Sequence, residues 1–171
     1  MAGEPPARAP RAAAPLGTAA APRGPTPAGV RLPAAIHDAI VAWARAEHPN
    51  EMCGLIVGSA PAADGGEPIR WEPTRNAAAS PLRYEVASDD LVRISVEIDD
   101  RDEVIWGIAH SHVGSPARPS PTDVDRAFYP DALHLIVSLA PSEADPVTGE
   151  PGLRAWSIVD GAVHEVALEV R

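Results

Sequence analysis

The 171-residue sequence predicts an α/β fold, a single domain with a mixed central β-sheet flanked by helices. Three observations carry that prediction. Continuous apolar runs at 52–58, 104–109 and 133–139 read as strands covered on both faces. Two stretches with helical spacing of apolar residues, 33–47 and 88–99, alternate with them. The chain closes on alternating segments at 153–160 and 163–170 that pair as a hairpin across Asp160-Gly161-Ala162.

Residues 1–28 are mostly Ala, Pro and Gly with scattered arginines, a composition that cannot bury a core and in which proline blocks helix. A disordered, dispensable extension is expected there, followed by a domain over 29–171. No apolar h-region of a secretory signal is present in it. Val30-Arg31-Leu32 reads as a brief strand, and Pro33 opens a helix that ends before Pro49, with Ile36, Ile40 and Trp43 on one face. The run at 52–58 is a central strand, and 60–66 is a turn. Residues 68–74 form a strand in which Ile69 and Trp71 alternate, and 82–86 a further short one. Ser88 reads as an N-cap with Asp89 and Asp90 in the first turn, and Leu91, Ile94, Val96 and Ile98 carry that helix. The next strand, 103–110, leads into a loop rich in Gly, Ser and Pro. A helix from Ser120 to about Phe128 stops before Pro130, and 133–139 is a buried strand.

Composition removes several classes of function. A formal net charge of −10 leaves no basic surface for tracking phosphates, so nucleic acid is not an expected partner. No apolar run reaches the ~18 residues of a membrane span. The one cysteine, Cys53, excludes an internal disulfide framework and a thiolate zinc site, and fits a reducing cytoplasm.

The chemistry concentrates at 104–123, VIWGIAHSHVGSPARPSPTD. Alternate residues of a strand share a face, so His110 and His112 present two imidazoles side by side. Ser120 is a favourable N-cap and Pro121 a natural first helical residue, which puts Asp123 at N3, where a short loop can return its carboxylate to the histidines. Two imidazoles, one carboxylate and an open fourth position describe a catalytic zinc site. Glu51 starts a buried strand, where desolvation raises a carboxyl pKa towards the range of acid–base work. Its bland reading is a solvated turn residue in Pro-Asn-Glu.

His110-Ser111-His112, seven residues, Ser120, two residues and Asp123, with Glu51 upstream of a hydrophobic strand, resemble the signature of the JAMM (MPN-plus) metallopeptidases. His48-Pro49-Asn50, Asn76-Ala77, Ser80-Pro81, Tyr84 and residues 158–163 extend the resemblance, and its layout is similar to that of short bacterial members. The resemblance implies a single MPN/JAMM-like domain with Zn2+ held by His110, His112 and Asp123. It implies that Glu51 is the general base and acid and that Ser120 stabilises the oxyanion, although the same serine could simply cap its helix. The implied substrate is a small ubiquitin-like sulfur-carrier protein with a Gly-Gly tail, laid beside a sheet edge as an extra strand. Amide hydrolysis there would release cysteine, a place in sulfur transfer for cysteine biosynthesis. One rival is a deubiquitinase-like isopeptidase, but eukaryotic relatives carry insertions where 60–66 and 113–119 are short. The other is a non-catalytic MPN scaffold, against which all five signature residues are intact.

Other residues are set aside. Ser111 points to the opposite face and reads as structural, and Ser115 comes too early in the loop. A Ser/His/Asp hydrolase lacks its G-x-S-x-G elbow. His134 reads as a satisfied core histidine, and His37, His48 and His164 as surface residues. Cys53 reads as a buried structural thiol. Tyr84 and Asn76 could border a substrate groove, though nothing in the residues demands it.

Overall fold

The structure, a computed structural model, describes residues 26–171, so the extension expected over 1–28 lies almost wholly outside the described residues. Seven strands form one sheet: β1 (Gly29–Leu32), β2 (Cys53–Gly58), β3 (Pro68–Thr74), β4 (Val104–His112), β5 (Leu133–Ser138), β6 (Gly152–Val159) and β7 (Ala162–Val170). Their order is β1-β7-β6-β5-β4-β2-β3. The β1/β7 and β4/β5 pairs are parallel and the others antiparallel, so the sheet is mixed, as expected.

Helix α1 (Ala34–Glu47) covers one face and α2 (Ser88–Asp100) the other. Ile36, Ile40 and Ala44 of α1 join Leu32, Ile56, Leu135 and Val137 in the larger core. Ile94 and Ile98 of α2 pack on Leu55, Val57 and Ile108. Val96 lies outside this core, 55 % exposed, because it falls off the i, i+4 stripe that Ile94 and Ile98 define. Ser88 is the first helical residue rather than the cap. Ala87 takes the cap position with no side-chain bond, and Asp89 and Asp90 instead pair with Arg75.

Two further expectations need correction. No strand forms at 82–86; its one ladder pairing is an isolated Asn76–Val86 bridge. Its backbone is claimed by a side chain, since the Asn76 amide donates to the Arg83 carbonyl (3.1 Å) and accepts from the Glu85 N–H (3.0 Å). A short polar side chain bonding locally offers the backbone an alternative to a ladder. Helix α3 (Pro121–Asp125) ends at a C-cap on Arg126, short of Phe128. The hairpin turn forms as read, with Asp160 (φ 50°) and Gly161 (φ 80°) both left-handed, the geometry that Asp-Gly favours.

A β-bulge decides which way the motif strand faces. Ile56 pairs with Gly107 but Val57 with Ile105, leaving Trp106 as an extra residue in β4. Trp106 and Ala109 therefore pack in the same core although they are an odd number of residues apart, and Ile105 and Ile108 pack together on the α2 side. His110 and His112 follow Ile108 onto that second face. Gly54 keeps β2 close to β3: a Cβ there would strike the Trp71 ring and come within 2.7 Å of the Glu72 carbonyl. Gly54→Ala should therefore cost ~1–3 kcal/mol of stability, the usual penalty of overpacking, read as a lower urea midpoint with unchanged slope.

Candidate metal centre

Strands β4 and β5 are parallel neighbours, so the chain between them must cross over. That crossover, residues 113–132, brings α3 back over the C-terminal end of β4. Despite its Gly, Ser and Pro content, its first turn is pinned by three donors. Ser138 Oγ donates to the Ser115 carbonyl (2.7 Å), His112 Nδ1 to that of Pro116 (2.8 Å), and Trp156 Nε1 to that of Ala117 (2.9 Å).

At the start of α3, Ser120 and Asp123 form a capping box. Asp123 N–H donates to Ser120 Oγ (3.2 Å), while Asp123 Oδ2 accepts from the Ser120 N–H and hydroxyl, both at 2.7 Å. The carboxylate so fixed reaches the histidines, with Oδ1 3.4 Å from His110 Nε2 and Oδ2 3.4 Å from His112 Nε2. The two Nε2 atoms are 3.2 Å apart. One ligand atom from each of the three residues lies within 4.8 Å of the others, and all three residues are buried.

A cation fits this arrangement. His112 carries its proton on Nδ1, engaged by Pro116, so its Nε2 presents a lone pair to the other Nε2 and to a carboxylate. Imidazole nitrogen and carboxylate oxygen are borderline-to-hard donors, suited to zinc. In the metal-free site the three groups shift one another's protonation. Burial lowers the basicity of His110 in spite of Asp123. Burial also opposes ionisation of Asp123, but hydrogen bonds from His110, His112 and Ser120 outweigh it and hold the carboxyl well below the usual range. For His112 burial is outweighed by the bonds to Asp123 and Pro116, and its pKa rises.

Glu51 is not among the three clustered residues but lies beside them. It is buried at the entrance to β2, its N–H donating to the Ser80 carbonyl (2.9 Å). Burial pushes its carboxyl up to about 7; the His112 charge pulls it down and that of Asp123 pushes it further up. Ser111, on the opposite face of β4 as expected, anchors the same corner. Its Oγ accepts from Met52 N–H (2.8 Å) and its N–H donates to the Met52 carbonyl (3.1 Å).

A family model described as "Prokaryotic homologs of the JAB domain" matches residues 33–159. The chain belongs to this prokaryotic JAB-domain family. This is the JAMM/MPN group that the motif resembles, and the chain is a hydrolase of the JAMM peptidase type. This JAB-domain chain is 40 % identical over 134 residues to the CysO-cysteine peptidase of Mycobacterium tuberculosis, covering 78 % of this chain and 85 % of that protein. It is 32 % identical over 118 residues to the desampylase of Haloferax volcanii, covering 66 % and 83 %. The solution structure of protein DSY2949 from Desulfitobacterium hafniense superposes with a TM-score of 0.69 at 28 % identity, over 83 % of this chain and 92 % of that one.

Other residues of the JAB domain resolve as follows. Cys53 is buried, bonded to Thr74 Oγ1 (3.3 Å), and burial pushes its thiol up to about 11, an inert setting. His134 is buried but not satisfied: neither ring nitrogen has a partner among the described residues, and burial lowers its pKa to about 4. It is a neutral ring on the site face of β5. Tyr84, which the sequence offered only as a border of a substrate groove, stacks its ring on His110 with centroids 4.4 Å apart and planes 23° from parallel.

Proposed function

We propose that this JAB-domain protein is a zinc-dependent peptidase that hydrolyses the amide bond at the C-terminal tail of a small ubiquitin-like sulfur-carrier protein ending in Gly-Gly, releasing cysteine. The observation that carries it is the convergence of His110 Nε2, His112 Nε2 and the Asp123 carboxylate within 4.8 Å beside a buried Glu51. In this reading His110, His112 and Asp123 hold Zn2+. A zinc ion so held supplies a Lewis acid and brings the pKa of water down towards ~7.

Glu51 takes a proton from the attacking water and returns it to the departing amine, a task suited to a carboxyl poised near 7. Ser120, whose single hydroxyl proton goes to Asp123 in the resting site, turns that proton to the carbonyl oxygen of the scissile bond as negative charge develops there. A cavity of about 170 Å³ adjoins Asp123 and Tyr84, walled by Leu55, Leu91, Ile108 and Phe128. That is close to the ~150 Å³ that admits one benzene-sized group, so it has room for one substrate residue and not a whole tail. The open edge nearest Glu51 is β3, whose Thr74 pairs with Cys53; a tail added there as a strand lies beyond β3 and β2 from the histidines of β4, so its end must turn across the sheet face to reach them. The 40 % identity to a CysO-cysteine peptidase supports the carrier and the leaving group, and a buried free thiol fits a reducing cytoplasm.

The test offers the zinc-loaded full chain a Gly-Gly-tailed carrier bearing either C-terminal cysteine or a lysine-linked cargo. Free cysteine should be released, and the release should stop on chelation and return with zinc. Cleavage of the lysine-linked cargo alone would transfer the protein to the isopeptidases. Purification without stoichiometric zinc and indifference to a chelator would make it a scaffold.

A further inference from the structure

A histidine that binds a metal almost always donates its other ring N–H to an oxygen, which fixes the ring plane. His112 follows this pattern through Pro116. His110 does not, since its Nδ1 is buried and has no hydrogen-bond partner among the described residues. What touches the His110 ring instead is the face of Tyr84, stacked at 4.4 Å.

Tyr84 belongs to neither helix nor strand, so its position needs its own explanation. The amide of Asn76 supplies it. Its Nδ2 donates to the carbonyls of Glu51 (2.9 Å) and Arg83 (3.1 Å), and its Oδ1 accepts from the N–H groups of Ala78 and Glu85, both at 3.0 Å. Arg83 and Glu85 are the two neighbours of Tyr84, so the amide grips the backbone on both sides of the ring. Ala77 N–H closes the same turn onto the Glu85 carbonyl (2.7 Å). One side chain therefore ties together the Glu51 peptide and the ring that presses on His110.

We propose that Tyr84 is the positioning residue for His110, its ring face doing what a hydrogen bond to Nδ1 does at other sites, and that Asn76 holds it there. The proposal rests on the reading of His110, His112 and Asp123 as zinc ligands. The competing view is that Tyr84 only fills space against the Leu55, Val57 and Ile108 cluster. Shape separates the two. Phe keeps the flat face, whereas Leu keeps apolar bulk and loses it.

Zinc affinity of the full chain is measured by competition with a chromogenic chelator, together with melting of the metal-free proteins. Wild type should bind one zinc, and Tyr84→Phe should match it within about threefold. Tyr84→Leu and Asn76→Ala should bind ~10–100-fold more weakly, the range for losing an outer partner of a ligand. The metal-free Tyr84→Leu protein should still melt cooperatively. If Tyr84→Leu fails to fold, Tyr84→Met decides on the same terms. A Leu or Met variant with wild-type zinc affinity overturns the role of Tyr84. Wild type that binds no zinc overturns instead the ligand reading on which it stands.

Discussion

Glu51→Gln should keep its zinc and lose turnover by ~10²–10⁴-fold, the usual contribution of a positioned acid–base group. Glutamine matches the shape of the side chain, and Glu51 lies outside the three clustered donors, so the metal centre should stay intact. On the proposed assignment, what disappears is the ability to accept a proton from water and return it to the amine. Zinc stoichiometry and single-turnover release of cysteine check the two halves separately. Turnover near the wild-type rate would remove Glu51 from the chemistry, and loss of zinc would make it a ligand.

The same substitution carries a stability signature with a definite sign. In the metal-free protein the carboxyl rises from 4.5 to about 7 because burial disfavours its charge. Between those values the folded chain binds more protons than the unfolded chain, so stability falls as pH rises through the interval. At ~1.4 kcal/mol per tenfold change in proton affinity, the ionised side chain costs at most ~3 kcal/mol above pH 7 and nothing below about pH 4.5. Metal-free Glu51→Gln should accordingly be more stable than wild type at pH 8 and indistinguishable from it at pH 4. A bound dication beside the carboxyl favours its charged form and shrinks the difference. On the proposed assignment, Glu51 is thus a place where folding energy is given up for chemistry.

Much of this centre was legible in the sequence because it is local. The pleat alone puts His110 and His112 on one face, and cap chemistry alone puts Asp123 one turn into α3. The apolar runs at 52–58, 104–109 and 133–139 identified the three central strands because strands buried on both faces carry no polar alternation. The parts that escaped depend on pairings distant in the chain. An extra residue at Trp106 reverses which face of β4 the histidines share with the preceding apolar residues, and no composition rule marks it. The segment 82–86 has strand-forming residues, yet the Asn76 amide takes the Arg83 carbonyl and the Glu85 N–H. His134 has the surroundings of a core residue but not the partners, which only its neighbours in space reveal.

Asp123→Asn is the second large effect expected, and it runs opposite to Glu51→Gln. On the proposed assignment of Asp123 as a ligand, zinc affinity should fall by well over the ~10–100-fold that an outer partner is worth, and turnover should fall with it. Oδ2 of the native carboxylate already accepts from the Ser120 N–H and hydroxyl, while Oδ1 faces His110. An amide must point its Nδ2 at one of these sides and cannot ligate from there. In the metal-free protein the carboxyl is held below its unfolded value of 3.8, so its stabilisation is complete above about pH 4 and lost on acidification. His112 is shifted upward from 6.5 against the cost of its burial, chiefly by its bond to Asp123, so its contribution is complete below 6.5 and fades as pH rises. The Asn variant should therefore lose most, ~1–3 kcal/mol by urea titration, between about pH 4 and 6.5, where Asp123 is ionised and His112 protonated. Two carboxyl groups in one small site are pushed in opposite directions, one by burial and one by its partners, and that divergence is what the proposed roles of proton carrier and ligand require. A metal-free Asp123→Asn protein as stable as wild type at pH 5, with zinc binding unchanged, would show that the carboxylate neither anchors the histidines nor holds the ion.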